Sequence, residues 1–208
     1  MIIEFCGLPA TGKTTVAGVL VKKKGFHKIK IESRREWLFY NLIFLLKHPI
    51  KFFGGLFMIV KFSEGGRDFY LKFMNCFIIH NAKYQKAQRF RLGIIDQGYF
   101  QNILSVFNKP IDQKNLASYL KNFLYPDLLV VFDLSSTERQ ARLIKRGQSV
   151  RFGFDLKQVE KWQKASEVNY QLFKKMLPEL GLPFCLLEAS LAIDVLADKI
   201  EQCLKNPK

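Results

Sequence analysis

The chain has 208 residues and a mass of 24.2 kDa, and 49% of it is hydrophobic, which suits one domain with a sizeable core and argues against two full domains. Lys and Arg number 33 against 18 Asp and Glu, a formal charge of +15 with a pI near 9.7. That balance favours an anionic ligand or surface, whether nucleotide, nucleic acid or anionic membrane, and gives a sign without an identity.

The first element is the apolar run Ile2 to Cys6, which reads as a buried strand. No basic leader or cleavage site precedes it, so a cytoplasmic setting is expected. Directly after it, Gly7, Leu8, Pro9, Ala10, Thr11, Gly12, Lys13 and Thr14 spell GLPATGKT, a complete G-x-x-x-x-G-K-[ST] phosphate-binding loop, with Thr15 following. The glycines allow successive backbone N–H groups to turn inward on phosphate oxygens, and the next helix adds its positive N-terminal dipole. Lys13 is expected to reach the terminal phosphates. The Thr14 hydroxyl is short enough to sit on a Mg²⁺ bridging two of them.

A helix from Lys13 to Lys24 should close at Gly25, and His27 to Ile31 reads as a second strand. Ser33 can cap a helix through Arg34, Arg35 and Trp37 to Leu46, stopped by Pro49, and another apolar helix covers Phe52 to Phe62. The pieces of the stretch from Trp37 to Phe62 are too short to span a bilayer. Its aromatics interleave with Lys47, Lys51, Lys61 and Lys72, which suits peripheral contact with an anionic membrane, but the favoured reading is core and the wall of an acceptor pocket. After Gly65 and Gly66 a long helix should run from about Asp68 to Arg89, followed by a buried strand from Gly93 to Asp96.

Downstream, helices are expected over Tyr99 to Phe107 and Gln113 to Leu124, and a continuous apolar strand over Leu128 to Phe132. Ser135 and Glu138 form a capping box that opens a helix carrying Arg139, Arg142 and Arg146, spaced to share one face, with Arg151 beyond Gly147. Asp155 can cap the next helix, Pro183 to Leu187 forms a fifth strand, and Ser190 can cap the last helix. Strands alternating with helices imply a parallel sheet covered on both faces, with ligands at the carboxyl ends of its strands.

Glu32 and Asp96 fall at such ends. A hydroxyl acceptor needs a carboxylate to take its proton, whereas a phosphate acceptor needs cationic clamps. Either carboxylate could be that base, and Asp96 could instead hold Mg²⁺ through water. His27, His48 and His80 lack metal-ligand spacing, and Cys6, Cys76, Cys185 and Cys203 lack C-x-x-C spacing. Neither a zinc site nor a disulfide framework is therefore expected, and a reducing compartment fits best.

Three segments resemble the P-loop superfamily of nucleoside and nucleoside monophosphate kinases, and within it the thymidylate kinase-like branch: GLPATGKTT at Gly7 to Thr15, PDLLVVFDLSSTERQARLIKRG at Pro126 to Gly147, and LPFCLLEASLAIDVLADKI at Leu182 to Ile200. The resemblance implies a three-layer α/β P-loop fold with a five-stranded parallel sheet in a single domain over 1–208. It also implies a helical acceptor-side region at about 33–91 and an arginine-bearing lid at about 146–155. ATP would lie on the loop, Arg142 near the adenine, and Arg146 with Arg151 would close over phosphates. Asp96 matches the family's carboxylate after strand three, but Gln97 and Gly98 stand where thymidylate kinases continue with Arg and Tyr, and Glu32 is followed by Ser33 in place of Pro. Arg34, Arg35 and Arg67 are candidates to replace the missing arginine.

The activity so implied is ATP- and Mg²⁺-dependent phosphoryl transfer from a nucleoside triphosphate to a small acceptor: a nucleotide, a nucleoside or another hydroxyl compound. A homodimer is compatible with it. A nucleic-acid-linked NTPase fits less well, because no apolar strand ends in Asp-Glu and no basic-aromatic recognition module is present. A nucleotide-regulated protein of the membrane surface is the third reading.

Overall fold

A computed structural model describes residues 1–145 and 156–205. Five strands, β1 (Ile2–Gly7), β2 (His27–Lys28), β3 (Gly93–Ile95), β4 (Leu128–Asp133) and β5 (Phe184–Glu188), form one parallel sheet in the order β2-β3-β1-β4-β5. With β1 central, the chain leaves for β2 on one side and later crosses to β4 on the other, which opens a crevice at the carboxyl end of β1.

Period-two alternation divides the core between the two faces of this sheet. Ile3 and Phe5 of β1 join Val130 and Phe132 of β4 against α1 (Lys13–Lys24) and α10 (Ile193–Lys205), through Val16, Leu20, Leu196 and Ile200. On the opposite face Cys6, Ile95, Leu129 and Val131 meet a larger, aromatic-rich core. There Tyr84, Tyr99 and Phe123 stack in series, with centroids 4.7 and 4.6 Å apart. The three-layer arrangement matches the expectation from the alternating pattern.

Several boundaries differ from the sequence reading. β2 stops at Lys28, so Glu32 lies four residues beyond the strand. Pro49 does not merely end α2 (Arg34–Lys47): it occupies the first turn of α3 (Pro49–Lys61), where its missing N–H costs nothing. The long helix expected over Asp68 to Arg89 is α4 (Gly66–Lys72), a π-helical segment (Phe73–Ile78) and α5 (Ile79–Ala87) in succession. Only α6 (Ile103–Val106) is helical within Tyr99 to Phe107, and α7 is Gln113–Lys121.

Ser135 caps α8 (Ser136–Lys145) with Glu138, as expected: its hydroxyl accepts from the Glu138 N–H at 3.2 Å and donates to the Glu138 carboxylate at 2.7 Å. Ser190 does not cap α10, which begins three residues later; its hydroxyl donates to Glu188 at 2.9 Å. α9 spans Leu156–Met176, and Asp155, its expected cap, lies outside the described residues.

A second correction concerns the cysteines. Cys185 of β5 and Cys203 of α10 form a disulfide with Cα atoms 6.2 Å apart, while Cys6 and Cys76 are buried thiols outside any disulfide. The return from β5 into α10 folds the end of the helix back along the strand, bringing together two residues 18 apart that no short motif links.

The stretch from Trp37 to Phe62 is only half core. Tyr40 and Phe44 of α2, with Met58 and Ile59 of α3, are buried, and Gly55 lies against Phe77 and Phe123. Leu38, Phe39, Leu42, Leu46, Ile50, Phe53, Phe57 and Val60 are exposed. Half of the stretch is thus core, as expected, and the other half is an apolar face outside it.

Candidate phosphate-binding site

β1 feeds directly into the glycine loop. Gly7 has φ 155°, and a Cβ there would lie 2.7 Å from the Phe132 carbonyl oxygen, so the loop can cross β4 only without a side chain. Ala10 sits in the left-handed region at φ 67°, a conformation costing about 1–2 kcal/mol for a residue with a Cβ. Local strain of this kind concentrates at ligand sites.

Gly12 is the N-cap of α1, at φ 86°. It has no side chain to satisfy the orphan N–H groups of the first turn, and that turn has no acidic residue. An anion suits the place. The Lys13 ammonium is buried and donates to Gly7 O at 2.6 Å, Leu8 O at 2.8 Å and Thr11 Oγ1 at 3.2 Å, so it closes the loop on itself. Leu8, Ala10 and Thr11 are buried, whereas Pro9, Thr14 and Thr15 are exposed at the loop's rim.

Behind the loop lies a network that the sequence reading missed. Glu4, in the middle of β1, is completely buried. Its Oε1 accepts from the backbone N–H groups of Phe100 at 2.6 Å and Gln101 at 3.1 Å, and its Oε2 accepts from the Tyr84 hydroxyl at 2.6 Å. Gln101 in turn accepts from the Gly7 N–H at 2.9 Å through Oε1. The segment after β3 is thereby fastened to the phosphate loop. Burial pushes the Glu4 carboxyl up to about 7 against the opposing pull of its three donors, and it drives the Tyr84 hydroxyl well above its usual range.

Gly98 gives a physical reason for the departure from the Arg-Tyr pattern. A Cβ at Gly98 would lie 2.5 Å from the Glu4 carboxyl carbon and one of its oxygens, so the space a side chain would occupy belongs to Glu4. Gly98→Ala is expected to lower the unfolding free energy by about 1–3 kcal/mol, as overpacking typically does, because the obstacle is a fixed carboxyl group. Denaturant midpoints measured beside wild type check this, and an unchanged midpoint would show that Glu4 yields.

Asp96 lies just past β3, and its Oδ2 is 2.5 Å from the ammonium of Lys28, the last residue of β2. Lys83 of α5 donates to Gln97 O at 3.1 Å; burial lowers its pKa while Asp96 and Glu4 oppose the shift. Lys28 and Lys83 therefore put positive charge beside Asp96. Arg34, Arg35 and Arg67, the sequence candidates for that role, are exposed. Glu32 is also exposed; its backbone N–H donates to Glu36, within the cap of α2.

The arginine row divides. Arg139 is buried and bonded to Glu167 of α9 at 2.8 Å, a structural tie, whereas Arg142 reaches over the end of β5 to donate to Ala189 O at 3.0 Å. Arg146 and Arg151, with the lid expected at 146–155, lie outside the described residues. A separate cleft of about 530 Å³ beside β5 is lined by Asp133, Glu138, Glu167 and Glu188, with Lys174 paired to Asp133. Four carboxylates make it a poor phosphate site. Among the described residues no group of three or more His, Cys, Asp or Glu could hold a metal ion.

No protein-family model and no curated protein matches this chain. Solved structures do. The deoxyadenosine kinase from M. mycoides with products dCMP and a flexible dCDP is similar over 99% of both chains, at 17% identity and a TM-score of 0.55. The same kinase with dATP covers 99% of this chain and 100% of its own, at 16% and 0.54. The YorR protein of Bacillus subtilis, in complex with phosphorylated GDP, covers 99% of this chain and 96% of its own, at 15% and 0.51. At such identities the likeness establishes the fold alone, which this chain shares with those proteins.

Proposed function

We propose that this protein is an ATP- and Mg²⁺-dependent kinase that transfers the γ-phosphoryl group to a nucleoside or nucleoside monophosphate. The observation that carries the reading is the joining of the two halves of such a site: the glycine loop that would hold the donor is bonded through Gln101 to the segment bearing Asp96. Phosphoryl transfer depends on fixing donor and acceptor relative to one another, and this link supplies that rigidity.

In this reading Gly7 to Thr15 cradle the triphosphate and Lys13 turns its ammonium to the terminal phosphates. Arg142 is assigned to the adenine beside Ala189, and Arg146 with Arg151 to the phosphates. Magnesium usually keeps several waters and takes few protein ligands, so the exposed Thr14 hydroxyl and a carboxylate are a sufficient set; when bound, the ion neutralises charge on the donor phosphates. Asp96, held by Lys28, suits water-mediated support of that ion. Glu32, exposed in the connection that follows β2, is assigned the role of base toward an acceptor hydroxyl.

The deoxynucleoside kinase neighbours favour a nucleoside over thymidylate as acceptor, as does the absence of the Arg-Tyr pair after Asp96. Incubation with γ-labelled ATP and a panel of ribo- and deoxynucleosides and their monophosphates tests this. Label is expected on a nucleoside, and Glu32→Gln is expected to reduce its transfer. Release of label as inorganic phosphate only, regardless of acceptor, would overturn the reading.

A further inference from the structure

We propose that the outer face of α2 and α3 docks on an anionic lipid bilayer. The inference is independent of what the phosphate loop binds. Leu38, Leu42 and Leu46 recur at every fourth position of α2, opposite the side that buries Tyr40, Asn41 and Phe44. On α3, Ile50, Phe53, Phe57 and Val60 form a second stripe opposite Gly55 and Ile59. Leu46 is 73% and Ile50 86% exposed, at the one-residue junction between the helices. Contiguous apolar surface on this scale marks an interaction site.

Charge selects the occupant. Residues 33–63 contain Arg34, Arg35, Lys47, Lys51 and Lys61 against the single acid Glu36, whose carboxylate is 2.5 Å from Lys86. Lys51 donates to Lys121 O at 2.5 Å and Lys61 to Asn115 Oδ1 at 3.0 Å; both partners are neutral oxygens that leave the positive charge uncompensated. A twofold dimer through this face would bring two net-cationic surfaces together, an arrangement that repels. An anionic headgroup layer meets the cations while the leucine and phenylalanine side chains enter the acyl boundary.

The helices fit lying in that boundary and not crossing it. Among the described residues no single helix is long and apolar enough to span; α2 and α3, of 14 and 13 residues, reach that length and composition only together, and a bend of 111° between them suits two helices lying flat better than one crossing.

Sedimentation of the full chain with vesicles tests the proposal. Binding is expected to mixed phosphatidylglycerol and phosphatidylcholine vesicles, weakening with added salt, and little to phosphatidylcholine alone. Lys47→Ala should lower the partition coefficient about fivefold. Leu46→Ser combined with Ile50→Ser should lower it about tenfold or more, without moving the thermal midpoint, because both side chains are exposed. No association with either vesicle would overturn the proposal. So would equal binding to neutral vesicles unaffected by Lys47→Ala, or a dimer in sedimentation velocity that the serine pair dissolves while vesicle binding is nil.

Discussion

Lys13→Ala is expected to abolish most phosphoryl transfer, lowering kcat by about 10²–10³-fold, the range for removing one preorganised donor from a developing charge. The lysine is buried among three oxygens of its own loop, those of Gly7, Leu8 and Thr11, so its ammonium is already within the concavity that a phosphate would enter. Loss of the side chain also leaves the Gly7 and Leu8 carbonyls without this donor, and some loss of stability is expected, about 1–3 kcal/mol for a buried group left unsatisfied. Lys13→Arg is not a safe control, since a planar fork cannot reproduce a compact ammonium converging on those acceptors. Rates with saturating acceptor, nucleotide binding by calorimetry and the thermal midpoint separate the effects. A folded Lys13→Ala protein that transfers phosphate at the wild-type rate would remove the loop from the mechanism.

That loop was legible in the sequence because each of its requirements is local: a strand, two glycines, a lysine and a hydroxyl in one contiguous run. The cap of Ser135 with Glu138 was legible for the same reason. Distance along the chain hid the rest. Gln101 meets Gly7 across 94 residues, and nothing in its own neighbourhood marks it as a partner of the loop. Lys28 and Lys83 acquire significance only when β2 and α5 bring them to Asp96. The π-helical segment at Phe73–Ile78 reads as ordinary helix because its wider turns follow from packing and carry no compositional sign.

The exposed half of α2 and α3 was masked by hydropathy itself. An apolar helix in a soluble fold is expected to bury what it carries, and composition cannot tell which face the core will take. The arginine row divides for a related reason: common helical spacing placed Arg139 and Arg142 near one another, but the approach of α9 made Arg139 an internal tie to Glu167 and left Arg142 at the end of β5.

Glu4 was the deepest omission, read as part of an apolar strand, and it leads to the second large effect. Its ordinary carboxyl value of 4.5 rises to about 7 in the folded chain, chiefly by burial. Between those values the native state holds a proton that the unfolded state has released, so stability falls as pH climbs from about 4.5 to about 7 and then levels. The shift amounts to about 3 kcal/mol. His80 acts over the same range, since burial lowers it well below its usual value. The informative quantity is therefore the difference between variants. Glu4→Gln mimics the protonated side chain, with its oxygen still able to accept from Phe100 and Gln101 and its amide able to donate to the Tyr84 oxygen. It is expected to match wild type near pH 4.5 and to exceed it by about 3 kcal/mol above pH 7. Glu4→Ala leaves two N–H groups and a tyrosine hydroxyl buried without their acceptor and should lie about 3–5 kcal/mol below Glu4→Gln at every pH. It also leaves the 98–101 segment without the Glu4 tie to β1, held there through Gln101 and Gly7, so activity should fall with stability. Urea titrations of the three proteins across this range decide the matter: if wild type and Glu4→Gln run parallel, the carboxyl keeps its charge within the core and the network is held by ionic hydrogen bonds alone.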